Sequence, residues 1–401
     1  ERSRSLEIAG RLSKIYSDGY IDRAFTDLKS YFLQASYVDE NTLIKALTFG
    51  GKERTYQAWA GIDATQLAAD RKQNPYTYEN EVDDYQQDHY QLHWNQKLNE
   101  NWSTNIGLNY TKGQGYFEQY KANKNPSEYA NLVVATNNGK TDLIVRRWLD
   151  NKFYVVNFNA TYKKEYLEII SGFSYSNYSN LHFGEVIWAK HFAPTATIRD
   201  RYYESNSTKN DFSVFSKATF NLGEKFTAYA DLQIRKVNYS TVGLTSDRNP
   251  INVNQNFSFF NPKFGATYTI NQEQHLYFSF AVANKEPNRN DFENGITTLE
   301  NLNDYELGWR LKNESLTLNT NVYYMLYKNQ LVLTGAIDNV GAPIRVTSGK
   351  SYRLGIEIEA DIQFSNQFSL KPNIAFSDHK NTDFVSSIDG NLKNLGNTAI
   401  S

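Results

Sequence analysis

The sequence predicts an all-β protein: a transmembrane antiparallel β-barrel with short turns at one end and long loops at the other. Three observations lead there. Hydrophobic and polar residues alternate over long stretches, tight polar turns join these stretches in pairs, and much longer polar segments separate the pairs. Side chains point to opposite faces at successive strand positions, so each stretch is a strand with one apolar and one polar face.

The hairpin over Leu302–Tyr327 shows the pattern most clearly. Tyr305, Leu307, Trp309 and Leu311 share one face, opposite Asp304, Glu306, Gly308, Arg310 and Lys312. After the turn Asn313-Glu314-Ser315, the residues Leu316, Leu318, Val322, Tyr324 and Leu326 share a face again. A water-soluble sandwich also alternates, but its strands are short, with a mode of about 5–6 residues. Longer arms with charged faces suit lipid on one side and water on the other.

From the N-terminus, the first strand is expected at about residues 4–16, followed by a polar loop over 17–29. Tyr31, Leu33, Ala35 and Tyr37 mark the second strand, and Asp39-Glu40-Asn41 turns it into a third near 42–50. Residues 51–83 read as a long loop. Tyr90, Leu92, Trp94 and Leu98, the turn Asn99-Glu100-Asn101, and Trp102, Thr104, Ile106, Leu108 and Tyr110 form the next hairpin. A second long loop covers about 112–150. Tyr154, Val156, Phe158 and Ala160 lead through a turn at Lys163–Glu165 to Leu167, Ile169, Phe173 and Tyr175, and a third long loop covers about 178–209. Phe212–Leu222 and Phe226–Ile234 flank the turn Gly223-Glu224, and a Gly/Asn/Pro-rich loop runs to about Gln255. Phe264–Ile270 and Leu276–Val282 precede a loop to Asn301 and the hairpin described above. A loop near 328–349 then leads to Tyr352–Phe364, a turn at Ser365–Gln367, and a last strand over 368–376. The count is about fifteen strands, with no helix, and tight and long connections alternate strictly.

Composition agrees. Lys plus Arg is 42 against 44 for Asp plus Glu, a formal charge of −2 that gives no support to nucleic-acid binding. No cysteine is present, which excludes disulfides, thiolate metal sites and cysteine nucleophiles. Mean hydropathy is −0.63, and no run approaches the ~18 apolar residues of a spanning helix. A β-barrel escapes such a scan because half its wall faces water. The 29 Tyr, 24 Phe and 6 Trp suit a bilayer interface. The single Met, the strand-like start at Glu1 and the strand-like stretch at Gly396–Ser401 lead to the expectation of an internal piece of a longer protein.

Several stretches resemble the barrel of TonB-dependent outer-membrane receptors, in the form common among Bacteroidetes. They are Ser17-Asp-Gly-Tyr-Ile-Asp-Arg-Ala24 with Asp27-Leu-Lys-Ser-Tyr31, Phe260-Asn-Pro-Lys-Phe-Gly-Ala-Thr-Tyr268, and Ala283-Asn-Lys-Glu-Pro-Asn-Arg-Asn-Asp-Phe292. The resemblance covers essentially the whole chain. It implies a barrel of 22 strands around a plug, with residues 1–401 as a partial barrel domain, the plug before residue 1 and the remaining strands after 401. It further implies an outer-membrane location, short periplasmic turns, and contact with the TonB–ExbB–ExbD complex through a TonB box on the missing part. The implied function is active uptake of a scarce nutrient, an iron–siderophore or other metal chelate, with cobalamin, haem or oligosaccharide as alternatives. A passive porin-type channel is the reading from another class. Outer-membrane lipid and lipopolysaccharide are further expected partners.

Long outward loops select ligands. Arg146-Arg147-Trp148 closes the second loop. An arginine pair can hold carboxylate or catecholate oxygens, and Trp can stack on an aromatic ligand. The alternative is pairing with neighbouring acids or with lipopolysaccharide phosphates at the rim. The third loop carries His182, Phe183, Trp188, His191, Tyr202 and Tyr203. Two histidines can take a haem or a metal, but their spacing matches no zinc site, and packing of the loop by its aromatics is the favoured reading. His89 and His93 read as ordinary wall residues. Glu286–Asp291 reads either as a ligand contact or as a rigid loop base in which Arg289 pairs with Asp291. No nucleophile, phosphate-loop or zinc-protease motif appears, so the expectation is a protein without catalysis, bound metal or cofactor.

Overall fold

The computed structural model describes residues 5–337, 343–388 and 391–396. The strand-like ending expected near Gly396–Ser401 therefore lies, from residue 397 onward, outside the described residues. In chain order the strands are β1 (Ser5–Ser17), β2 (Thr26–Val38), β3 (Thr42–Tyr56), β4 (Val82–Lys97), β5 (Trp102–Lys124), β6 (Thr141–Lys164), β7 (Leu167–Ala189), β8 (Arg201–Leu222), β9 (Phe226–Leu244), β10 (Pro250–Phe260) and β11 (Lys263–Thr269). They continue with β12 (Gln274–Lys285), β13 (Glu300–Lys312), β14 (Leu316–Lys328), β15 (Leu331–Ile337), β16 (Pro343–Thr347), β17 (Lys350–Ser365), β18 (Phe368–Leu370), β19 (Asn373–Asp383), β20 (Val385–Ile388) and β21 (Asn391–Asn394). Two short helices, α1 (Ala64–Ala69) and α2 (Arg289–Glu293), lie in long connections.

Seventeen strands belong to one sheet, and β15–β16 and β20–β21 form two small hairpins. Neighbouring strands pair antiparallel, in unbroken register from Leu302 opposite Tyr327 to Lys312 opposite Thr317 and with a shift where β17 meets β18 and β19. Two passes are interrupted where proline removes a ladder donor, between β10 and β11 at Pro262 and between β18 and β19 at Pro372. Short turns at one end alternate with long connections at the other throughout. By contacts the chain divides into two units: residues 1–158, 174–212 and 237–256, and residues 159–173, 213–236 and 257–401.

The apolar rows are left exposed. Leu12, Leu307, Ile234 and Phe376 are among many large hydrophobic side chains left exposed, the reverse of a water-soluble protein.

The structure corrects the sequence reading at the long-loop ends. Strand β2 starts at Thr26 inside the expected first loop, β3 runs on to Tyr56, β4 begins at Val82 and β5 continues to Lys124. Much of the expected loops over 112–150 and 178–209 belongs to β5, β6, β7 and β8, and β10 occupies the end of the Gly/Asn/Pro-rich loop. The reason is that lipid imposes alternation of apolar and polar residues only as far as the hydrocarbon. Beyond it nothing imposes that period, and the ladder of backbone hydrogen bonds continues without it. The helices were unexpected too. Each starts from a reciprocal cap: Gln66 N–H donates to Asp63 and Asp63 N–H to Gln66 at α1, and Asp291 N–H donates to Asn288 and Asn288 N–H to Asp291 at α2.

On the polar faces, tyrosine stands directly opposite glycine on the next strand at Tyr31–Gly50, Tyr85–Gly115, Tyr229–Gly265, Tyr277–Gly308 and Tyr323–Gly355. The ring lies over the space a side chain would fill: a Cβ on Gly308 would sit 2.0 Å from the Tyr277 ring. Lying flat lets the hydroxyl reach one strand further, where Tyr277 donates to Asn321 at 2.9 Å and Tyr31 to Asp88 at 2.9 Å. Gly308→Val is expected to cost about 1–3 kcal/mol by overpacking, read as a lower denaturant midpoint in detergent at unchanged slope. Adding Tyr277→Ala should restore part of that loss, and an unaltered midpoint for the single variant would show the pair to be incidental.

Candidate functional site

The long-loop ends of β5, β6, β7 and β8 form a platform beyond the apolar rows. On β5 the outer row runs from the exposed Leu108 past the half-buried Tyr110 to the exposed Tyr120; Lys121 lies about eleven residues beyond Tyr110, roughly 37 Å along the strand at about 3.4 Å per residue. On this part of the strand Glu118 and Gln119 are buried and Tyr116, Phe117 and Lys121 half-buried.

Strand geometry splits the tripeptide Arg146-Arg147-Trp148. Arg146 and Trp148 take the face that carries Tyr154 and Val156 lower on β6, and Arg147 takes the opposite, polar face. The two arginines therefore do not form one clamp. Arg146 Nε donates to Glu118 Oε2 at 2.8 Å, with its guanidinium 4.2 Å from the Tyr116 ring centre. Tyr116 packs on Trp148 at 4.6 Å, Trp148 stacks on Phe183 at 5.8 Å, and Arg201 lies 3.8 Å above Phe183. Trp148 Nε1 donates to Glu185 at 2.9 Å, and Arg201 is held by Glu204. The result is an aromatic ladder capped at each end by an ion-paired arginine. Glu118 also accepts from the Tyr78 hydroxyl at 2.6 Å, fastening the 57–81 connection to the platform. Burial and then the bond to Glu118 push the Tyr78 phenol up to about 12.

On the polar face, Arg147 Nε donates to the Tyr202 hydroxyl at 3.4 Å and the guanidinium lies 5.7 Å from the Phe117 ring centre. Tyr202 and Tyr203 are themselves buried in a cluster with Tyr129, Val133, Leu143, Val145, Val186 and Ala189. A short turn of helix, Pro126–Tyr129, carries Tyr129 into this cluster, where it packs 5.0 Å from Tyr202. His182 and Trp188 share the face of Gly184 and Val186 by strand alternation; His182 is half-buried and Trp188 exposed. His191 is exposed after β7. Of the residues singled out in the sequence, the structure thus joins Arg146, Trp148 and Phe183 on one face and Arg147 and Tyr202 on the other, with Tyr203 packed beneath.

Sequence reasoning missed Tyr116, Phe117, Glu118, Lys121 and Tyr129. All five lie where a loop was expected, and the only signal for the first four was the alternation of Tyr116, Glu118 and Tyr120 with Phe117, Gln119 and Lys121. Lys121 is half-buried. Burial and then the nearby Arg147 charge lower its ammonium to about 8, opposed by Glu81. Glu81 is buried and accepts from Tyr120 N–H at 3.1 Å.

In the second unit, the Glu286–Asp291 motif is a loop base, as one of its two sequence readings held. Its expected pairing is corrected: Arg289 binds Glu293 at 2.7 Å, and Asp291 instead accepts two bonds from Arg345 at 2.9 and 2.7 Å. Alignment across a helical turn favours Glu293, four residues on. Glu286 accepts two bonds from Arg235 at 2.8 Å. His89 stacks on Phe49 at 4.5 Å and bonds Gln87 and Thr111, and His93 bonds Gln91. No group of three or more metal-ligating side chains occurs among the described residues.

Lys121 gives a direct test. The folded chain releases this proton more readily than the unfolded chain, so its cost to stability is full below about pH 8 and vanishes as pH rises toward 10.5. A reductively methylated Lys121 should titrate by NMR near 8. Arg147→Met should raise that midpoint and Glu81→Gln should lower it; a midpoint near 10.5 in the unsubstituted protein would contradict the geometry.

Comparison with known proteins places the chain. No curated protein matches it. Among solved structures, it is similar to the ferric citrate transporter FecA in the unliganded form, with 15% identity and a TM-score of 0.69 over 94% of this chain and 55% of that one. It is also similar to the ferric-catecholate import receptor Fiu from K12 E. coli, with 12% identity and a TM-score of 0.67 over 96% and 62%. The copper transporter OprC gives 12% identity and a TM-score of 0.69 over 95% and 57%. The chain thus spans less than two thirds of each of these solved chains. The model of the family described as TonB dependent receptor-like, beta-barrel matches residues 24–399, and this outer-membrane β-barrel chain belongs to that family.

Proposed function

We propose that these residues are the partial barrel domain of an importer for an iron–siderophore or related metal chelate. The outward loops capture the chelate. A plug domain, supplied by sequence outside these residues, is then displaced by the TonB–ExbB–ExbD complex at the expense of the proton gradient. No bond of the ligand is made or broken.

The observation that carries this reading is the platform on β5–β8. Its polar face offers Arg147, with His182 and Trp188 on the same face, to a ligand arriving at the long-loop end. A guanidinium fork suits oxygen-rich anions, and similar solved barrels carry the names of ferric citrate, ferric-catecholate and copper transporters. Arg146, Trp148 and Phe183 act on the opposite face as the brace of the rim, and Tyr202 and Tyr203 act as packing beneath Arg147. His191 lies at the loop edge.

Growth of a deletion strain on single iron or copper chelates, with radiolabelled uptake, tests this. Loss of uptake of at least one chelate, and abolition of wild-type uptake by a protonophore, is expected. Unchanged uptake of every chelate would remove the metal-chelate assignment; uptake indifferent to the protonophore would favour a passive channel.

A further inference from the structure

Within the first unit, the exposed apolar face of β2, β3 and β4 is not flat. Ala35 on β2 stands directly opposite Ala46 on β3, and Ala46 opposite Leu92 on β4. One row nearer the long-loop end, Leu33 pairs with Thr48 and Thr48 with Tyr90. The small side chains of Ala35, Ala46 and Thr48 leave a groove of about 610 Å³, with Leu33 on one side, Tyr90 and Leu92 on the other, and a lining that is almost wholly carbon. Tyr90, Tyr110 and Tyr154 stack across β4, β5 and β6 with ring centres 6.0 and 4.7 Å apart, which stiffens the tyrosine wall.

A row of charge further along the same face narrows the choice of occupant. Lys14 on β1 stands opposite Lys29 on β2, and Lys29 opposite Lys52 on β3. All three are exposed. Lys52 lies past Thr48 on the same face, roughly 14 Å along the strand at about 3.4 Å per residue. Like charges directly opposite one another destabilise a sheet. Asp27 lies 3.7 Å from Lys29 and Asp84 3.3 Å from Lys52, while Asp88 accepts from Gln86 at 2.9 Å. Arg54 stands in register between Asp27 and Asp84. Positive charge therefore exceeds negative over these two rows, and no ion pair among the described residues uses Lys14. Lysine stems can lie along apolar surface while their ammonium groups stay in water, and a basic row at the edge of hydrocarbon attracts anionic headgroups.

We propose that this face binds one phosphate-bearing acyl lipid of the outer leaflet, with an acyl chain in the groove over Ala35, Ala46 and Thr48 and the phosphate on Lys14, Lys29 and Lys52. The two features match one molecule: a flexible apolar chain for the groove, and an anion attached to it for the lysines. A second copy of this chain is a poorer occupant. A two-fold contact brings the same surface of both copies together, which would set lysine row against lysine row. The proposal needs the exposed apolar rows to lie in hydrocarbon and is independent of the importer reading.

Native mass spectrometry of the full-length protein in detergent tests this, with bisphosphorylated lipid A and with the same lipid dephosphorylated. The protein should retain the phosphorylated lipid and hold the dephosphorylated one at least about five-fold more weakly. Replacing Lys14, Lys29 and Lys52 together by Gln should remove that difference. Lys163→Gln with Lys225→Gln, at short turns, should leave it intact. Ala46→Trp fills the groove and should weaken retention of both lipids; Thr48→Trp gives the same reading where Ala46→Trp does not fold. Faster migration of the unheated barrel in electrophoresis identifies the folded variants. Equal retention of the two lipids by the unsubstituted protein, or retention unchanged by filling the groove, would overturn the proposal. So would a dimer that forms without lipid and is lost on filling the groove, which would assign the face to a second copy.

Discussion

Backbone hydrogen bonding is the constraint on which everything else here depends. In hydrocarbon an unpaired N–H or C=O costs several kcal/mol, and strands can satisfy theirs only on neighbouring strands. The long antiparallel ladders meet that demand residue by residue, as along β13 and β14. The prolines at 262 and 372, which cannot donate, mark the places where a pass is broken into two strands. Once the ladder is compulsory, the alternation of side chains follows, and with it the division of the chain into a lipid-facing set and a water-facing set.

That division bears on the long-loop ends. The ladder does not stop where lipid stops. β5, β6, β7 and β8 carry it onward into water, where both faces are available for polar chemistry. One face becomes a brace, with Arg146, Tyr116, Trp148, Phe183 and Arg201 stacked in sequence and neutralised by Glu118, Glu185 and Glu204. The other carries Arg147, bonded to Tyr202, beside a small core built by Tyr129, Tyr202 and Tyr203. A rigid ladder holds these groups in place without the ordering cost that a free loop would bring on binding.

The bland readings of the sequence fared well in the second unit. Glu286, Arg289 and Asp291 are each consumed by an internal partner, so the motif that most resembles the family serves to rivet a connection. The cross-strand tyrosine–glycine pairs belong with it as structural devices: a flat ring fills the gap over a bare backbone and still leaves a hydroxyl to bond the next strand.

The sequence by itself determined the passes through the bilayer, their order, and the turn that ends each on the short side. Hydrocarbon imposes a period of two on any strand that crosses it, and the turns Asp39–Asn41, Asn99–Asn101 and Asn313–Ser315 are written in residues suited to tight bends. Where the strands end on the long side was decided only by tertiary structure, because in water no period is imposed and the ladder alone extends the strand. The same holds for the site. Arg146, Arg147 and Trp148 were legible as interesting residues, but whether they act together depended on knowing that residues 141–164 are a strand, which sends neighbours to opposite faces. That Arg147 meets Phe117, while Arg146 meets Glu118, follows from the pairing of strands, and no local pattern encodes it.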